Sequence, residues 1–131
     1  MTAYESRAAA AEDLKIDIVE MQMNGKGYCY DGCIFIRSDL SDAEKNCILA
    51  EEIAHYLYTA GDITNQNDIS KRKLEFYARR KAYEAAVPFE QIVSLLRAGE
   101  QIWDIAEIYD FTEEFLRDAL NWYISKYGCG K

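Results

Sequence analysis

Ser41-Asp42-Ala43-Glu44-Lys45-Asn46-Cys47-Ile48-Leu49-Ala50-Glu51-Glu52-Ile53-Ala54-His55 is the stretch that decides the fold. It opens as a capping box: the Ser41 hydroxyl can accept from an early amide while the Glu44 carboxylate reaches back to the cap. A helix is therefore expected from Asp42 to about Ala60, ended by Gly61-Asp62. On that helix Glu51 and His55 stand one turn apart on the same face, where a carboxylate and an imidazole can grip one ion and Glu52 can reach an ion-bound water. This is the metal-binding H-E-x-x-H pattern with glutamate in its first position. Hydrolytic chemistry uses such a set because the ion lowers the pKa of the water toward neutrality and a nearby carboxylate takes its proton. The spacing also has an ordinary explanation. Projected at about 100 degrees per residue, Ser41, Glu44, Lys45, Glu51, Glu52, His55, Thr59 and Asp62 fall along one arc, as the solvated side of any amphipathic helix does.

Upstream, residues 3–14 are Ala-rich with interspersed charge and read as a short helix, and Ile16 to Val19 alternates as a strand. Tyr28-Cys29-Tyr30 meets Cys33-Ile34-Phe35-Ile36 across Asp31-Gly32, a hairpin signal because Asp-Gly tolerates the positive φ of a tight turn. Downstream, a second long helix is expected from about Ile69 to Ala86, closed by Val87-Pro88. Three more helices follow at Phe89 to Leu96, Ile102 to Tyr109 and Thr112 to about Tyr127, with Thr112 as a cap. The expected fold class is α+β, mostly helical, with a small antiparallel sheet of about three strands. It is one domain over 1–131: an N-terminal helix and sheet (1–40), the metal-site helices (41–87) and the C-terminal helices (88–131).

With 131 residues, half of them hydrophobic, the chain can bury one real core and not two. Fifteen basic against twenty-three acidic residues give a net charge of -8, which repels phosphate backbones. Lys71-Arg72-Lys73 and Arg79-Arg80-Lys81 spread around their helix instead of forming a stripe, and a solvated mixed-charge surface is the favoured reading over nucleic-acid contact. Residues 102–120 superficially suggest a helix-turn-helix, but its second helix would begin with Glu113 and Glu114 and add Asp118, which face phosphates badly. No segment approaches the roughly 18 apolar residues of a membrane span, and Met1 to Leu14 lacks the pattern of a secretory leader, so a soluble, cytoplasmic protein is expected. Cys29, Cys33, Cys47 and Cys129 are then free thiols.

A metal held by Glu51 and His55 needs a third donor. Glu75 is the best placed. It stands in a ladder with Ala78, Ala82 and Ala86, beside an apolar face whose small residues let two helices approach closely. The alternative for Glu75 is a surface pair with Arg79 at i,i+4.

The stretch from Cys47 to Tyr56, with Thr59 and Gly61-Asp62 after it, resembles the motif helix and exit of the ImmA/IrrE family of metallo-endopeptidases, in its phage and integrative-element branch. Glu75-Phe76-Tyr77-Ala78-Arg79-Arg80-Lys81-Ala82-Tyr83 is similar to that family's Glu-x-x-Ala-x-x-x-Ala segment. The likeness runs from about Tyr4 to Gly128. It implies a zincin-like minimal domain in which His55 and Glu75 are metal ligands, Glu51 takes the place of the first ligand histidine and Glu52 is the general base. It implies one divalent ion, zinc first, although two carboxylates and one imidazole would suit manganese or iron(II) better than two histidines do. It further implies a helix-turn-helix repressor as substrate or binding partner, cleaved to release the genes of a mobile element, with no direct nucleic-acid or membrane contact. The substitution at Glu51 also admits a non-proteolytic antirepressor that only binds the repressor.

Overall fold

The computed structural model describes residues 1–58 and 68–128. The expected helix exit at Thr59 and Gly61-Asp62, the polar loop that follows it and Cys129 lie outside the described residues. Helix α1 (Ala3–Asp13) starts from a capping box of its own, in which the Thr2 hydroxyl accepts from the Glu5 amide at 3.0 Å and the Glu5 carboxylate accepts from the Thr2 amide at 2.9 Å. Three strands follow: β1 (Asp17–Met21), β2 (Gly27–Tyr30) and β3 (Cys33–Arg37). The helices are α2 (Asp42–Tyr58), α3 (Asp68–Ala86), α4 (Phe89–Arg97), α5 (Ile102–Tyr109) and α6 (Glu113–Tyr127).

The β2–β3 hairpin turns on Asp31 and Gly32, with φ of 49° and 75°. The sheet order is β1-β3-β2, and here the expectation of an all-antiparallel sheet is corrected. Only β2 and β3 pair antiparallel, whereas β1 runs parallel to β3, from Asp17 opposite Cys33 to Met21 opposite Arg37. The cause is the hairpin itself. Its tight turn fixes β2 on one flank of β3, and the short connection from Met21 to Gly27 reverses the chain, so β1 on the other flank runs in the same direction as β3. Strand β3 is thus central, and its Ile34 and Ile36 are fully buried.

One face of this sheet packs against α1 and α2, joining Ile34 and Ile36 to Tyr4, Ala11, Leu40 and Leu49. Gly27 sits where α2 comes down on β2: a Cβ there would collide with the Ile48 side chain and lie 3.4 Å from Glu52 Cγ. Across the other side of α2, Ala50 and Ala54 meet Ala78 and Ala82 of α3 in an all-alanine seam. A second cluster, built on Ile92, Ile105, Leu116 and Ala119, binds the C-terminal helices to α3 and to Cys47.

Asn46 is fully buried on α2 and is satisfied from two sides. It accepts from Arg7 Nε at 2.8 Å and donates to the Asp110 carbonyl at 3.0 Å, so one amide ties α1, α2 and the α5–α6 turn together. That turn places Asp110 in the left-handed region (φ 57°), and Thr112 caps α6 by accepting from the Phe115 amide at 3.1 Å. Cys29, Cys33 and Cys47 are free thiols. No helix among the described residues is long and apolar enough to cross a membrane.

Candidate metal centre

The capping box of α2 forms as read, with the Ser41 hydroxyl accepting from the Glu44 amide at 3.2 Å and the Glu44 carboxylate accepting from the Ser41 amide at 3.3 Å. It sets the phase of the helix. With Leu49, Ala50 and Ala54 turned inward, Glu51, Glu52 and His55 are left half-buried along the border of α2. The alanine seam brings α3 close enough for its first described turns to reach them.

The result is a contact between His55 Nε2 and Glu75 Oε2 of 3.4 Å, with the imidazole 17 % exposed and the carboxylate 60 % exposed. Glu75 therefore turns toward α2, and among the described residues it makes no ion pair with Arg79. Two donors on one tetrahedral zinc, each about 2.0–2.1 Å from the ion, lie roughly 3.4 Å apart, so the pair has the separation of two ligands sharing an ion. The donor types fit as well.

Glu51 does not complete the set. It lines a cavity between α2, α3 and α6 together with Arg79, Tyr83 and Asp118, and among the described residues no three His, Cys, Asp or Glu side chains converge on a point that could hold an ion. Burial raises its pKa above the ordinary carboxylate value, Arg79 works against that shift, and the Glu75, Asp118 and Glu114 charges add to it. Glu52 is pushed further, to about 7, by burial first and then by the Glu51 and Glu75 carboxylates. A carboxyl titrating there exchanges its proton readily near neutral pH, which is what a general base that must later act as an acid requires.

Glu52 also faces the sheet. Its stem lies against Gly27, and its charge raises the Cys29 thiol after burial has done so, which places it over β2. β2 is one of the two outer strands, and among the described residues no strand pairs with its far edge beside that carboxylate.

Sequence reasoning had named Glu51, Glu52, His55 and Glu75; the structure joins His55 to Glu75 and sets Glu52 beside β2, while Glu51 faces the cavity. Arg79 and Tyr83 line the same cavity as Glu51 from α3, a place that the Ala78–Ala82 seam foreshadows, since each follows one of its alanines.

A mostly helical α+β domain with a histidine–glutamate pair bridging two alanine-packed helices, and a glutamate of raised pKa beside a sheet edge, has a metallopeptidase-like fold. Residues 11–121 match the peptidase family described as the IrrE N-terminal-like domain, and the chain belongs to that family. No curated protein and no solved structure gives a match.

Proposed function

We propose that the chain is a metal-dependent endopeptidase that cuts a helix-turn-helix repressor and so releases the genes of a phage or integrative element. The observation that carries the enzymatic part is the 3.4 Å His55–Glu75 contact with Glu52 one turn before the histidine. His55 and Glu75 would hold one divalent ion, zinc first, with manganese or iron(II) suited to the carboxylate-rich surroundings. When bound, such an ion polarises a peptide carbonyl and lowers the pKa of water. Glu52 supplies the proton chemistry. Its carboxylate would take a proton from the attacking water and return it to the leaving amine. The free edge of β2 gives an extended peptide a strand to pair with next to that carboxylate. The net charge of -8 favours encounter with a basic DNA-binding protein.

The experiment is repressor cleavage by the purified protein beside Glu52→Gln. A loss of roughly a hundredfold or more is expected for removal of the general base. Unchanged cleavage would sink the mechanism.

One observation favours a second reading, an antirepressor that grips the repressor without cutting. Glu51 lines the cavity with Arg79, and among the described residues no third donor joins His55 and Glu75 where a catalytic site takes three. Metal content and affinity, measured by elemental analysis and calorimetry with zinc, manganese and iron(II), separate the two. One equivalent, lost in both His55→Ala and Glu75→Ala, supports the enzyme; no binding above those variants supports the antirepressor.

A further inference from the structure

Strand β2 has two unlike sides. The side toward α2 is small: Gly27 lies beneath Ile48 and Glu52, and Cys29 packs against the buried cluster that joins the sheet to α1 and α2. The other side carries Tyr28 and Tyr30, which are 58 % and 66 % exposed. Side chains alternate along a strand, so both rings stand on the face of the sheet away from Glu52.

The tyrosines continue an apolar surface that crosses the whole sheet. Tyr28 is opposite Phe35 and Phe35 is opposite Val19, while Tyr30 is opposite Cys33. Val19 and Met21 are exposed and Phe35 is half-buried. Among the described residues none of these five side chains packs on a buried cluster. A sheet with one solvated face normally alternates apolar inside and polar outside. Here the outer face is apolar as well, and an uncovered patch of this kind marks an interaction site.

The patch runs out to the far edge of β2, and that continuity selects its occupant. A helix laid on the face would cover the rings and leave the edge N–H and C=O groups of β2 without a protein partner. An extended peptide added as a fourth strand meets both needs. Its backbone pairs with β2, and every second side chain falls directly beside Tyr28 or Tyr30. The side chains between them fall on the side of Gly27 and Cys29, where Glu52 lies, so the same strand runs along the candidate metal centre.

We propose that the edge of β2 selects an extended peptide with large apolar side chains at two alternate positions, i and i+2, seated beside Tyr28 and Tyr30, with residue i+1 turned toward α2. Two adjacent apolar residues would put one on each face and satisfy only half of the row. This deepens the proposed function by naming the substrate class, and it rests on that reading only for what happens to the peptide once bound.

The test needs no cleavage. The full chain, kept metal-free with a chelator, is titrated with acetyl-Thr-Phe-Thr-Phe-Thr-Lys-amide while its backbone amide resonances are followed by NMR. Saturable shifts centred on residues 27–30 are expected. An isomer with the two phenylalanines adjacent, and the alternating peptide with every amide N-methylated, should each bind about fivefold more weakly or worse. The double variant Tyr28→Thr, Tyr30→Thr should lose affinity for the alternating peptide to the level of the adjacent isomer, with its thermal midpoint retained because both rings are exposed. Equal binding of the isomer or of the N-methylated form, unchanged binding by the double variant, shifts away from β2, or self-association through β2 with no peptide shift would each overturn the proposal. Binding with this preference and no repressor cleavage would keep the site and lose the protease reading; cleavage that the tyrosine pair does not affect would do the reverse.

Discussion

Glu52→Gln should stabilise the metal-free protein, and the gain should grow with pH. Burial and the neighbouring Glu51 and Glu75 carboxylates raise the Glu52 carboxyl from its ordinary 4.5 to about 7. Between those two values the folded chain holds a proton that the unfolded chain has already released. The sign follows directly: this group favours the fold most at low pH, and its contribution falls as pH climbs from 4.5 toward 7, then levels off. A difference of that size is worth ~3 kcal/mol. Glutamine keeps the shape and cannot ionise. Wild type and variant should therefore have equal stability in acid and diverge to ~3 kcal/mol by mildly alkaline pH, a shift in thermal midpoint of roughly 10 °C. Urea unfolding in the presence of a chelator, repeated across the pH range, reads this difference, and subtracting the two curves removes the carboxylates common to both. A constant offset at all pH values, or a wild type that gains on the variant as pH rises, would refute the placement of Glu52 among buried like charges.

Three further outcomes follow from the geometry. Asn46→Ala leaves the Asp110 carbonyl without its donor and Arg7 Nε without its acceptor, and should cost about 2 kcal/mol in denaturant unfolding with the m-value retained. Gly27→Ala drives a methyl group into the Ile48 side chain beside Glu52, so a loss of about 1–3 kcal/mol is expected, together with a fall in cleavage larger than any fall in metal affinity. Glu51→His exchanges a carboxylate that feels the Arg79 charge for a neutral imidazole and should raise zinc affinity roughly tenfold or more in calorimetry; unchanged affinity alongside active cleavage would mean that Glu51 already serves.

What the sequence revealed was mostly local. Asp31-Gly32 predicts its own turn because the required backbone angles are a property of those two residues, and both adopt positive φ. Ser41 and Glu44 predict their own cap for the same reason. The alanine ladder predicts close approach of α2 and α3 because small side chains leave the gap that Glu75 crosses to reach His55. The parallel pairing of β1 was not legible, since alternation identifies a strand without naming its partner. Asn46 was hidden differently. A polar residue on an amphipathic helix reads as solvent-facing, and only the folded chain shows that Arg7 and Asp110 come from distant segments to satisfy it. Glu51 shares a face with His55 at helical spacing, and spacing alone cannot say that its side chain also lines a cavity with Arg79 and residues of α6.

That orientation gives the substitution at position 51 a physical meaning. Three carboxylates, Glu51, Glu52 and Glu75, share one stretch of the α2–α3 border, and both Glu51 and Glu52 are raised in part by the other charges there. With histidine at 51 the border would carry one anion fewer, and a divalent ion would have less negative charge to neutralise. With glutamate, the ion-free border is strained by like charges, and Arg79 relieves part of that strain on the cavity side. A divalent cation on the His55 side would relieve the rest. In the proposed enzyme, Arg79 and the ion would then compete for the same carboxylate, and metal affinity would follow the difference between the two attractions.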